Sequence, residues 1–98
     1  MLVALTVRKV KPGKSDDLRR TWEESSPDAP EGWKRFYALR NVRDENEVIT
    51  FGFFDGTLDE LNESQQEHNY RGRVDSVSQF VESVGTSGVY EIVIEETT

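Results

Sequence analysis

The chain reads as an α+β domain of order β-α-β-β-α-β, a four-stranded antiparallel sheet with its helices on one face. Three observations predict it. Four segments alternate apolar with polar residues or are dense in β-branched and aromatic side chains; two others repeat apolar residues at intervals of three and four; and turn formers punctuate them in that order. The middle two strands are parted only by a short polar run, which predicts an antiparallel hairpin. Such an order is the split βαβ arrangement.

The third strand, at 48–54, anchors the reading. Ile49, Phe51 and Phe53 point one way, and Val48 and Phe54 point the other way around the smaller Thr50 and Gly52. Apolar on both faces, it belongs inside a sheet covered on two sides. Asp55 and Gly56 break it, and Thr57 with Glu60 forms a capping box that opens a helix.

The first strand is expected at 2–10, with Val3, Leu5 and Val7 on one face and Leu2, Ala4, Thr6 and Arg8 on the other. Lys11 to Lys14 form a turn, Ser15 is the expected N-cap, and a helix follows at 16–25 with Leu18 and Trp22 as its apolar stripe. A proline-bearing loop at 25–32 leads to the second strand at 33–41, where Phe36 and Ala38 share one face and Tyr37 and Leu39 the other. From 58 to 84 the pattern is helical and divides: a polar part to His68, then Tyr70, Val74, Val77, Phe80, Val81 and Val84 at helical spacing, with Gly72 as the expected break. Gly85 to Gly88 read as a loop, and 89–95 as the last strand with Tyr90, Ile92 and Ile94 on one face.

Ninety-eight residues make one domain, 1–98, with room for one modest core. No cysteine is present, so neither a disulfide framework nor a thiolate site is available, and a single His leaves no cluster of metal ligands. The net charge of −7 and the lack of a basic stripe argue against a nucleic-acid or anionic-membrane partner. The alternating N-terminus reads as a strand and not as a signal peptide, and no apolar run reaches the ~20 residues of a membrane span. A cytoplasmic protein is expected. The Gly85–Gly88 run precedes a strand, so it is no phosphate-binding loop.

Every strand carries a second apolar face: Val3/Leu5/Val7, Phe36/Ala38, Ile49/Phe51/Phe53 and Tyr90/Ile92/Ile94. Helices on one side leave these uncovered, a patch larger than monomers tolerate. A homodimer closed sheet to sheet is therefore expected. Thr6, Thr50 and Gly52, with Val93 and Tyr37, are expected on the helix-facing side, where small and polar residues leave a cleft or admit a close neighbour. Trp22 would wall such a cleft. His68 is the default proton acceptor, and its spacing from Leu61 points it inward; Tyr70 follows it closely.

The first strand ending in Val10-Lys11-Pro12-Gly13-Lys14, the helix with Leu18 and Trp22, the hairpin into Phe51-Gly52-Phe53-Phe54-Asp55 and the helix bearing His68 together resemble the antibiotic biosynthesis monooxygenase-like, dimeric α/β-barrel (ferredoxin-like) family. The resemblance implies a fold used for several purposes: oxygenation of polycyclic phenols without metal or flavin, haem degradation, or no activity known. Thr6 stands where the haem-degrading members carry Asn, Phe54 near their Trp, and His68 in the helix of their haem-ligating His. Three functions follow as expectations. In the first, a cofactor-independent oxygenase acts on an aromatic or quinol molecule. There His68 is the base, Tyr70 or Tyr37 the oxyanion donor, and Trp22 and Phe54 the dry wall around Thr6, Thr50 and Gly52. The second is a non-catalytic homodimer that binds a small ligand or a protein. Haem binding through His68 is the third.

Overall fold

A computed structural model describes residues 1–25 and 31–97; the side chains of 68–70 lie outside the described set. Its elements are β1 (Leu2–Val10), α1 (Ser15–Glu24), β2 (Trp33–Asn41), β3 (Asp44–Phe54), α2 (Leu58–Gln65), α3 (His68–Ser78) and β4 (Val81–Glu91). The strands form one antiparallel sheet in the order β2-β3-β1-β4, as the split βαβ arrangement requires. The loop expected at 25–32 falls largely on 26–30, outside the described residues.

The expected strands at 2–10 and 33–41 agree with β1 and β2, whereas β3 begins four residues earlier than 48. Its end is set by the Thr57 capping box. The Thr57 hydroxyl accepts from the Glu60 amide at 3.2 Å, and the Glu60 carboxylate accepts from the Thr57 amide at 2.9 Å. Ser15 is not the N-cap: Lys14 holds that position, and Ser15 is a buried first helical residue whose hydroxyl faces Arg40.

Two corrections concern the second half. The helix breaks at Gln66–Glu67 and not at Gly72, which lies within α3, so the count from Leu61 to His68 does not run along one continuous helix. Val81 and Val84 belong to β4, and Gly85–Gly88 are strand residues rather than a loop. Val77 closes α3 inside the core while Phe80 and Val81 pack on the same core from the strand's start, so their spacing imitates a helix. Pairing with β1 slips twice, with Thr6 opposite Ser87 but Arg8 opposite Val84, and Lys9 opposite Ser83 but Val10 opposite Val81. Each slip inserts an extra residue into β4 and erases the period of two.

The helices cover the face that carries Val10, Val48 and Phe54. Val10, Leu18, Val48 and Val77 form the buried cluster, with Trp22, Phe80 and Val81 packed on it. At the other end of the sheet Phe54 and Leu61 are fully enclosed, and the Trp33 indole stands edge-on to Phe54 and donates to the Ser64 hydroxyl of α2 at 3.0 Å. Register places Phe36 opposite Gly52 and Ala38 opposite Thr50, hence on this helix-facing side. The expectation that Phe36 and Ala38 belong to the outer face is thereby overturned.

Tyr37 instead pairs with Phe51 and stacks on it at 5.2 Å, so it lies on the outer face and not beside Thr50. That face runs across all four strands: Tyr37 and Leu39, then Ile49, Phe51 and Phe53, then Val3, Leu5 and Val7, then Tyr90. Tyr37, Leu39 and Tyr90 are each more than 40% exposed (42%, 47% and 47%). Val93 and Ile94 fall beyond the end of β4 and are exposed, so neither extends a sheet face as expected.

Candidate functional site

Between α1 and the edge strand β2 the helix-facing side opens into a cleft of about 420 Å³, within the usual range for small-molecule sites. Leu18 and Trp22 wall it from α1; Phe36 and Ala38 wall it from β2; Val48 and Thr50 form its floor on β3. The periodicities explain the convergence. Leu18 and Trp22, four apart, share one helical face, and the alternate residues of β2 and β3 look up at them. Ser15, Arg19, Glu23 and Arg40 complete the lining with polar groups. Arg40 Nη1 donates to Asp16 Oδ1 at 3.0 Å, which ties β2 to the first turn of α1.

Trp22 is held from outside the cleft by Arg73 of α3. The guanidinium carbon sits 4.2 Å from the indole centroid, and Nη2 and Nε donate to the Trp22 carbonyl at 2.9 and 3.3 Å. Burial lowers the Arg73 pKa from its ordinary value, but the group stays protonated because that value is so high. Phe36 meets the indole edge-on at 6.4 Å.

The expected site residues divide. Trp22 and Thr50 line the cleft, as does the Tyr37 position, although the Tyr37 ring packs on the outer-face aromatics. Gly52 lines no void: a Cβ there would lie 2.7 Å from Phe36 Cε1 and 2.9 Å from Trp33 Cζ3, so this glycine admits two aromatic rings of β2 rather than a ligand. Phe54 is 2% exposed and belongs to the core beneath α2 instead of the cleft wall. Thr6 lies on the helix-facing side across from Thr50, its hydroxyl 3.2 Å from that of Ser87, outside the cleft lining. The first helical residue of α3 is His68; the side chains of His68 and Tyr70 are outside the described set.

Two arginines were not singled out by sequence reasoning. Arg73 fixes Trp22, and Arg8 Nη1 donates to Thr50 Oγ1 at 2.6 Å across the β1–β3 pair. The available signal for Arg8 was its place in the alternation: an arginine in the inward series with Leu2, Ala4 and Thr6 needs an inward partner. Among the described residues no group of three or more metal-ligating side chains occurs.

No family model and no curated protein matches the sequence. Solved structures do match in fold. One from Nitrosomonas europaea, provisionally named an antibiotic biosynthesis monooxygenase, superposes with a TM-score of 0.79 at 16% identity, covering 96% of this chain and 100% of the other. A second, from Chloroflexus aurantiacus and similarly named, gives 0.78 at 11% identity over 98% and 96% of the two chains. Rv0793 from Mycobacterium tuberculosis gives 0.75 at 15% identity over 98% of each. The chain has the fold of the antibiotic biosynthesis monooxygenase-like proteins, over essentially its whole length.

Proposed function

We propose that the protein is a monooxygenase-like homodimer that takes a small aromatic phenol or quinol into the cleft between α1 and β2 and oxidises it with dioxygen, with no resident cofactor. The observation that carries this reading is the cleft itself: an indole, a phenyl ring and aliphatic side chains over a floor that carries the Thr50 hydroxyl, in a volume suited to a fused-ring molecule. The shared fold supports it.

The reaction balances without a further reductant. Loss of the substrate's hydroxyl proton gives an electron-rich anion, dioxygen inserts one atom at a ring C–H, and the second oxygen leaves as water. A phenol becomes a quinone, and a quinol a hydroxyquinone. His68 takes the proton, Tyr70 supports the resulting oxyanion, and Trp22 with Phe36 keeps the ring dry. Oxygen uptake against a panel of fused-ring phenols and quinols tests this: uptake with labelled oxygen in the product is expected, with a large loss in His68→Ala. Uptake unchanged by that substitution would remove His68 from the mechanism.

Association of two copies through the outer sheet face belongs to the same reading. Nine aliphatic and aromatic side chains spread over four strands form one face of the kind twofold dimers bury. A non-catalytic binding role is the second reading, favoured by the mainly apolar walls of the cleft, Leu18, Trp22, Phe36, Ala38 and Val48. Thermal stabilisation by a phenol, with no oxygen uptake for any of the panel, would establish that role.

A further inference from the structure

The Arg8–Thr50 contact gives the cleft a directed donor. Thr50 lines the cleft, and Arg8, on the neighbouring strand, is not among the lining residues. Thr50 Oγ1 accepts a 2.6 Å bond from the Arg8 guanidinium. A hydroxyl whose oxygen accepts from a cation keeps its own proton to give, and the charge behind it makes that proton a better donor. An acceptor in the cleft therefore meets an O–H polarised by a positive charge that it does not itself touch. Arg19, Arg40 and Glu23 all line the cleft, and Asp16 pairs with both arginines, so the lining itself is not a one-sign anion trap.

We propose that the Thr50 hydroxyl, backed by Arg8, is the oxyanion donor on the sheet side of the cleft, beside the support assigned to Tyr70, and holds the ionised oxygen of a bound aromatic hydroxyl compound. The inference rests on the aromatic-binding reading of the cleft and adds to it the atom that selects the charged form. Thr50 touches the ligand; Arg8 is a positioning residue that acts through Thr50. The proton lost by the ligand passes to solvent or to the base, and the site raises the ligand's ionisation constant because it binds the phenolate better than the phenol.

The test uses 4-nitrophenol, whose absorbance reports its ionisation directly, beside 4-nitroanisole, a neutral molecule of nearly the same shape. With the wild-type protein, bound 4-nitrophenol is expected to favour the phenolate by about tenfold over the free probe, the scale of a hydrogen bond to a charged group. Thr50→Val should abolish that shift and leave 4-nitroanisole binding unchanged, Thr50→Ser should restore it, and Arg8→Met should diminish it. Unshifted ionisation of the bound probe in the wild-type protein would overturn the proposal while leaving the aromatic cleft intact, as would a full shift in Thr50→Val. Failure of both probes to bind would overturn the aromatic cleft and this proposal together. The wild-type shift is decisive even for a variant that does not fold.

Discussion

The guanidinium of Arg73 lies over the indole of Trp22 and also bonds the Trp22 carbonyl, so one side chain of α3 fixes both the ring and the C-terminal end of α1. The cation–π contact and the carbonyl bonds act on the same helix end, where a positive charge also suits the helix dipole. Replacement of Arg73 by Met keeps much of the stem's packing and removes both. The expected cost is about 1–2 kcal/mol of stability, read from urea unfolding, together with weaker aromatic ligand binding because the cleft wall loosens. Arg73→Lys should recover part of the stability and little of the bidentate carbonyl contact.

Gly52 is required by the rings above it. Gly52→Ala sets a methyl within 3 Å of both Phe36 and Trp33, and relief demands movement of side chains that also touch Trp22 and Ser64. A loss of about 1–3 kcal/mol is expected, as for other overpacked sites. A changed near-ultraviolet circular dichroism spectrum would accompany it, since the stacked Trp33–Phe36 pair is disturbed.

The α2 capping box sets a pH dependence. The bond from the Thr57 amide, then that from its hydroxyl, holds the Glu60 carboxyl below its ordinary 4.5. A lowered folded-state value means that this stabilisation is present above the ordinary glutamate value and is lost as pH falls through the folded value. Asp44, bonded by Lys9 and by the Asn46 amide, is lowered from 3.8 and acts in the same direction. Thr57→Ala should cost about 1 kcal/mol at neutral pH, and Glu60→Gln should flatten the decline of the urea midpoint as pH falls below the ordinary glutamate value of 4.5.

The outer face predicts an oligomeric state that one charge can reverse. Phe51 stacks on Tyr37 and stands edge-on to Phe53 at the middle of that face. Phe51→Asp would set a carboxylate at the proposed seam, where a twofold axis presents it to its own copy. Sedimentation velocity should show a dimer for the wild-type chain and a monomer for the variant; a wild-type monomer would refute the seam.

The strand-rich half of the fold was legible because its residues obey one rule at a time. β1 alternates without interruption, β3 is dense in β-branched and aromatic residues, and Thr57-Leu58-Asp59-Glu60 spells a helix start whose bonds form as expected. β4 was not legible, because two extra residues break its alternation and tertiary pairing with β1 overrides a Gly-Ser-Thr stretch of low strand preference. The site was half legible. Trp22 and Thr50 follow from face assignment alone, but which strand's ring fills the space over Gly52 depends on the β2 bulge between Trp33 and Arg35, which shifts Phe36 and Ala38 inward. Arg8 and Arg73 received no role from the sequence because their partners, a hydroxyl on β3 and a carbonyl on α1, are distant in sequence.

The most direct measurement is an anaerobic calorimetric titration of the wild-type protein and Trp22→Ala with 1-naphthol. Saturable binding at one site per chain, weakened about tenfold by the substitution, is the predicted result. An absence of saturable binding, or binding that Trp22→Ala leaves untouched, would contradict the cleft as the place where an aromatic substrate sits.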